Sequence, residues 1–545
     1  MRISRRQFHL GLVAGLSALT LPRTAMATAP QTPDLWLNRL TFGATPASRQ
    51  DFAGMGPAAW LEDQLALPAS DPALDARLQD ARLQIAYEAG QDEMGRPWPA
   101  RDELAPLSAL AADPADLVPL LDWDSPMDFA ERIRPGQEVI AASLIRAVHA
   151  QAQLREVMTQ FWHDHFNVNS MKDEFTAVFF ASHDRLLRDH SLGNFRQLLG
   201  EVARSPAMLY YLNNADSRAS PANENYAREL LELHTLGAAN YLNDRYSAWD
   251  QVPGATEGRA EGYLDLDVYE VARAFTGWSV GDGRWLSEGV TAPRTGRFHY
   301  VEAWHDPYQK RVLGVEFPPN RAPLADGEQV LDMLARHPGT ARFVCGKIAR
   351  RLMSDRPEPA LVERLAQVFL QAADAPDQVA QVLRALVTDP AFAATPAGKL
   401  RRPFEFLAAL YRASGAEVTG TTNAQQWQLM RAGWRQHEYR VPTGHPDVMA
   451  AWTGASSLNR LVDYALYAHD DWFGVARLDT SSPAPGESVG AFANRFSAAF
   501  GATGLAPALG LDPAQPVAEF SPEERHGIAA GAMAFAALTP AFLLR

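Results

Sequence analysis

Three groups of residues in this chain have the types and spacing to do chemistry. The longest is Asn223-Glu224-Asn225-Tyr226-Ala227-Arg228-Glu229-Leu230-Leu231-Glu232-Leu233-His234-Thr235-Leu236-Gly237. At about 100° per residue on a helix, Glu224, Arg228 and Glu232 form one stripe, while Tyr226, Ala227, Leu230, Leu233 and His234 share another face. As a solvated face, such an acid–base–acid ladder supports the helix by about 0.2–0.5 kcal/mol per pair. As a site, the stripe lines a cleft, where Arg228 keeps the carboxylates ionised and Glu224 or Glu232 serves as ligand or general base.

The second group is Phe161-Trp162-His163-Asp164-His165-Phe166. On a continuous helix His163 points roughly 160° away from His165, so the two chelate one ion only if the helix ends near Trp162. Otherwise His165, between Phe161 and Phe166, is a buried histidine with hydrogen-bonded nitrogens. The third group is His305-Asp306, set before Pro307. An aspartate beside a histidine on a turn orients the ring or binds metal, and Asp-Pro also simply starts turns. A site assembled from all three has His163, His165, His305 and Asp306 holding a divalent metal ion, with Glu224 or Glu232 positioning or deprotonating its water. Such donors, without thiolate, suit zinc, manganese, iron or copper. His234 is on an apolar face and favours core packing; His183 and His190, seven apart, favour packing or surface roles. No His-Glu-x-x-His, Gly-x-Ser-x-Gly, Cys-x-x-Cys or phosphate-cradling lysine loop occurs.

Helices must position these groups. Apolar residues recur at three- and four-residue spacing in 34–40, 57–66, 154–166, 194–212, 222–236, 267–278, 328–353, 359–388 and 402–413. Asp267-Val268-Tyr269-Glu270 has the capping-box pattern and predicts a helix start at Asp267, and Gly237 is a stop signal. Strand signal is local: 296–301 and 311–317 flank Trp304-His305-Asp306-Pro307 and predict one hairpin with the turn at its tip. Residues 243–263 and 479–490 have loop composition. The expected fold is mainly α: a large multi-helix globular domain with a small β-hairpin insertion. Weak boundaries near 120 and 395 divide it into an N-terminal helical part (28–120), a central domain (121–395) and a C-terminal helical part (396–545), unless all three are one domain.

The chain opens Ser4-Arg5-Arg6-Gln7-Phe8, continues through an apolar stretch from Leu10 to Leu21, and reaches Ala25-Met26-Ala27. Paired arginines, a short hydrophobic core and a small-x-small cleavage site make residues 1–27 a twin-arginine signal peptide. Proteins on that route cross the membrane folded, so the expected location is periplasmic or secreted, with the mature chain starting near Thr28. No later apolar run approaches the roughly 20 residues of a membrane span. The net charge of −14 argues against nucleic acid. Hydrophobic residues at 47% and charged residues at 21% fit a packed globule. Cys345 is the single cysteine, so no internal disulfide forms, and its setting in Ala341-Arg342-Phe343-Val344-Cys345 is that of a buried apolar residue.

The 223–237 string resembles the signature of the bacterial family called domain of unknown function 1800, and further segments agree in order. Leu37-Asn38-Arg39-Leu40-Thr41-Phe42-Gly43-Ala44 is similar to its opening helix, and 161–166 to its Trp-His-Asn-His-Phe segment. Asp267-Val268 through Ala274-Phe275-Thr276-Gly277-Trp278 match the helix that follows the signature. His305-Asp306, Lys310, Leu313-Gly314, Lys347 and Arg401-Arg402-Pro403-Phe404-Glu405-Phe406 complete the pattern, which spans most of 34–460. The chain departs at Asp164, where Asn is usual, and in a longer loop before Asp267. The resemblance implies no agreed reaction. It implies a gene neighbour, a sulfatase-like exported protein, and hence a shared envelope task.

These readings together favour an exported, metal-assisted hydrolase acting on an envelope or extracellular polymer. Two others stay open: a metal-dependent oxidoreductase on the same ligands, and a non-catalytic envelope partner of the sulfatase-like protein with the signature helix as its interface.

Overall fold

Proline sets the helix boundaries. The computed structural model describes residues 33–245, 248–466, 476–477 and 483–545, so the twin-arginine segment lies outside the described residues, as does part of the 479–490 loop. Helices run over Pro33–Leu40, Pro57–Ala66, Pro338–Leu352, Pro359–Gln371 and Pro403–Ser414, each opening on a proline. Proline suits that position because its missing N–H has no intrahelical partner there. The same preference divides longer runs that periodicity alone joins. The 194–212 run becomes Phe195–Arg204 and Pro206–Tyr211, and 328–353 becomes Ala325–Ala335 and Pro338–Leu352. The exception is Phe129–His149, which the sequence reading did not anticipate because Pro135 lies inside it. Its buried face of Val139, Leu144, Ile145 and Val148 packs against Glu174–Asp189 and Pro403–Ser414, outweighing the missing backbone bond.

The fold is mainly α, with small two-stranded sheets. The expected hairpin differs in its pairing. Arg294–Tyr300 pairs antiparallel with Trp278–Asp282, and Lys310–Val312 pairs with Val315–Phe317. The turn of that second hairpin is Leu313-Gly314, both at positive φ (50° and 82°), a geometry that favours glycine. A Cβ on Gly314 would lie 1.9 Å from the Ala255 carbonyl oxygen, so the turn also needs glycine for its approach to the 243–263 segment. His305-Asp306 therefore links two sheets instead of capping one.

The signature string is not one α-helix. Glu224–Glu229 is α-helical, Leu230–Thr235 is a π-helical turn, and Gly237 (φ 88°) ends it. The wider turn breaks the stripe: Leu233 is only partly buried, while His234 turns fully inward. The next helix starts two residues earlier than expected, at Asp265, because Asp267 accepts the Leu264 N–H from within the first turn. One hydrophobic cluster extends from Trp36 to Leu543 and crosses both weak boundaries; a smaller one is built from residues 489–532. Cys345 is fully buried in the large cluster, and burial pushes its thiol far above the ordinary range. Among the described residues no helix is long and apolar enough to cross a membrane.

Candidate functional site

The groups singled out by spacing fall in different surroundings. The 153–165 helix continues through His165, so His163 and His165 face apart. His163 Nε2 donates to Asp184 Oδ1 (3.0 Å), and its ring lies 4.1 Å from that of His437. Burial opposes charge on Asp184, yet Arg188 and Arg146 hold its carboxyl well below the usual range. His165 Nε2 donates to the His234 carbonyl (3.1 Å). His305 sits between the Thr276 carbonyl (3.0 Å) and Asp326 (3.3 Å), and Asp306 accepts from Arg273 at 2.8 Å and 3.1 Å. Glu224, with 46% of its side chain exposed, pairs with Arg228 at 3.4 Å. Arg228 also bonds Asp265 at 3.1 Å, at the opposite end of the 265–274 helix from Arg273. Glu232 is partly buried in the π turn. Among the described residues no group of three or more His, Cys, Asp or Glu side chains is placed to hold a metal ion, and the four proposed donors do not fit a shared one.

A different set converges. The C-terminal end of the 153–165 helix, the 338–352 helix and the loop 443–448 enclose a pocket of about 350 Å³. Phe161, Asp164, Lys347, Arg350, Arg351, Thr443, Gly444, His445, Pro446, Asp447 and Val448 line it. Gly444 (φ +70°) brings the loop onto the helix end; a Cβ there would lie 2.0 Å from the Asp164 carbonyl oxygen. The approach delivers His445. Asp164 accepts from Arg402 Nη1 (2.7 Å), from His445 Nδ1 (3.2 Å) and from the His445 backbone N–H (3.3 Å). Burial alone would raise the Asp164 carboxyl, but Arg402 and His445 hold it well below the ordinary range. An ionised carboxylate only accepts, so Nδ1 carries the hydrogen, and in the neutral ring Nε2 is then the acceptor. That Nε2 is buried with no hydrogen-bond partner among the described residues. Stacking on Trp434 (3.8 Å, 10° between planes) fixes the ring.

Opposite stands Lys347. Among the described residues its Nζ has no hydrogen bond or ion pair, and it lies over the Phe343 ring at 5.4 Å. Burial pulls the ammonium down to about 8, Arg350 adds to that, and Asp164 and Asp447 oppose it. The pocket's carboxylates already have cations outside it: Asp164 has Arg402, and Asp447 has Lys399 at 3.0 Å. Arg351 is buried and paired with Glu405, though its Nε has no partner. Arg350 is exposed and reaches only the Asp355 carbonyl, at 3.3 Å. Among the described residues, Lys347 and Arg350 thus face the pocket with no carboxylate in ion-pair contact.

Behind Lys347 lie His165 and His234. Burial first and Lys347 second push both imidazoles down, His234 to about 3. The π turn packs against the 338–352 helix, and such turns recur at functional sites. The signature thus reaches this region through His234 and not through Glu224 or Glu232. The sequence held one usable signal for the pocket: Lys347 interrupts a helix face of Val344, Cys345, Ile348 and Ala349 that is otherwise apolar. Thr443-Gly444-His445-Pro446-Asp447 has only turn composition, so His445 and Asp447 went unnoticed. A family model described as a protein of unknown function (DUF1800) matches residues 35–544. No curated protein and no solved structure matches the chain.

Proposed function

Because the chain belongs to the DUF1800 family, described only as proteins of unknown function, we propose its activity from the pocket: an exported hydrolase acting on an envelope or extracellular polymer through Asp164, His445 and Lys347. The observation that carries this reading is Lys347, which among the described residues has no ion pair, lining one pocket with an Asp164–His445 pair whose Nε2 has no hydrogen-bond partner there. Asp164 orients the imidazole and stabilises it once protonated. Nε2 takes a proton from the attacking water, a role that contributes typically 10²–10⁴-fold. Lys347, lying near 8, stabilises the negative charge that develops on the leaving glycosidic oxygen and gives it a proton as the water oxygen bonds to the anomeric carbon. Residues 4–27 support export.

The test is a screen of the purified protein against acidic and neutral polysaccharides, read as release of reducing ends. A turnover that His445→Ala and Lys347→Met each reduce at least about a hundredfold supports the assignment. A turnover unchanged in both folded variants overturns it. The exposure of Glu224 and Arg228 favours a second reading, in which this stripe docks the sulfatase-like neighbour. Loss of co-purification in the double variant Glu224→Gln, Glu232→Gln would support that reading; retention would end it.

A further inference from the structure

Removing a charge from water is costly unless a partner replaces the lost solvation. Most buried cations here obey that rule: Arg402, Arg351 and Lys399 each face a carboxylate. Lys347, half-buried at the pocket wall, has no hydrogen bond or ion pair among the described residues, and Arg350 stands beside the same pocket bonded to a backbone carbonyl. The Arg351 Nε is also buried and unpartnered at this wall. The nearby carboxylates, Asp164 and Asp447, are paired with Arg402 and Lys399 and act on Lys347 only at longer range, which offsets its burial in part. Phe161, Pro446 and Val448 supply apolar surface, and a volume of about 350 Å³ accepts one sugar-sized unit, not a longer segment.

We infer that this pocket binds an acidic sugar unit, its carboxylate or sulfate oxygens held between Lys347 and Arg350 and its apolar face against Phe161 and Val448. The inference deepens the hydrolase reading by naming the substrate class, and it rests on that reading for the reaction. Either anionic group has the same chemistry toward the two cations, an oxyanion accepting charge-assisted hydrogen bonds. As pH rises through about 8 and Lys347 loses its proton, binding weakens.

The experiment titrates the full chain with glucuronate, glucose 6-sulfate and uncharged glucose at constant ionic strength, read by calorimetry and thermal shift. The expected result is saturable binding of one or both acidic sugars, none of glucose, and at least a tenfold loss in Lys347→Met and in Arg350→Gln. Lys347→Arg keeps the charge and restores part of the affinity. Binding of glucuronate alone assigns a carboxylate, and of glucose 6-sulfate alone a sulfate ester. No binding above glucose, or binding unchanged in both variants, overturns the inference. His445→Ala keeps both cations, so it separates the two readings: acidic-sugar binding with unaltered turnover in that variant leaves the binding site standing and removes only the proposed chemistry.

Discussion

At the hairpin, Lys310 is 2% exposed and all its donors are used: Nζ bonds Asp326 at 2.7 Å, the Asp306 carbonyl at 2.6 Å and the Tyr308 carbonyl at 2.9 Å. At the pocket, Lys347 has no such partner among the described residues. Both regions also hold a histidine against an aspartate, His305 with Asp326 and His445 with Asp164. At the hairpin both ring nitrogens of His305 are occupied; at the pocket one is not. The same residue types therefore make a clamp in one place and an unfinished site in the other. What separates them is whether the hydrogen-bonding capacity is spent within the protein.

Substitutions sharpen that contrast. The largest stability loss is expected in the network behind the pocket. Glu405 is the shared carboxylate of Arg351, Arg402 and Arg545, and Glu405→Gln should cost about 5 kcal/mol in urea unfolding. Lys310→Met should cost about 3 kcal/mol, the lower end for a broken buried pair, because Arg321 still holds Asp326 at 3.0 Å.

Lys347→Met should act in the opposite direction. The folded state lowers this lysine from 10.5 to about 8, so the wild type carries a penalty below pH 8 that is relieved as pH rises toward 10.5. The variant should be more stable at pH 7 by on the order of 1–2 kcal/mol, with the gain fading over that window. A destabilised Lys347→Met would mean the two lysines do the same job.

Among the described residues His234 has both ring nitrogens buried without a hydrogen-bond partner, and burial, then Lys347, lowers it from 6.5 to about 3. The unfolded chain takes up a proton there as pH falls below 6.5 while the folded chain does not, so stability drops across that interval. His234→Phe should remove up to about 1.4 kcal/mol per pH unit from that slope, measured by unfolding between pH 6.5 and 4. Glu224→Gln, on an exposed pair, should change stability by less than about 0.5 kcal/mol.

Local features were legible in advance. The stop at Gly237 and the burial of Cys345 follow from backbone geometry and apolar spacing, which act over a few residues. The strand at 294–300 was visible as a strand, but its partner was not, because the pairing with 278–282 depends on a connection that spacing does not encode. The candidate site shows the same limit more sharply. Its acidic and basic members were in view as Asp164, Lys347 and Arg402, yet only as letters in a pattern; His445 looked like part of a turn.

From the sequence alone follow a mainly helical body, its family and the segments able to carry charge, because periodicity and capping are properties of neighbouring residues. Which of those charges remain unpaired was decided by tertiary structure. An ion pair such as Asp164–Arg402 joins residues 238 positions apart, and solvation, the quantity that separates a clamp from a site, exists only once the chain has closed around them.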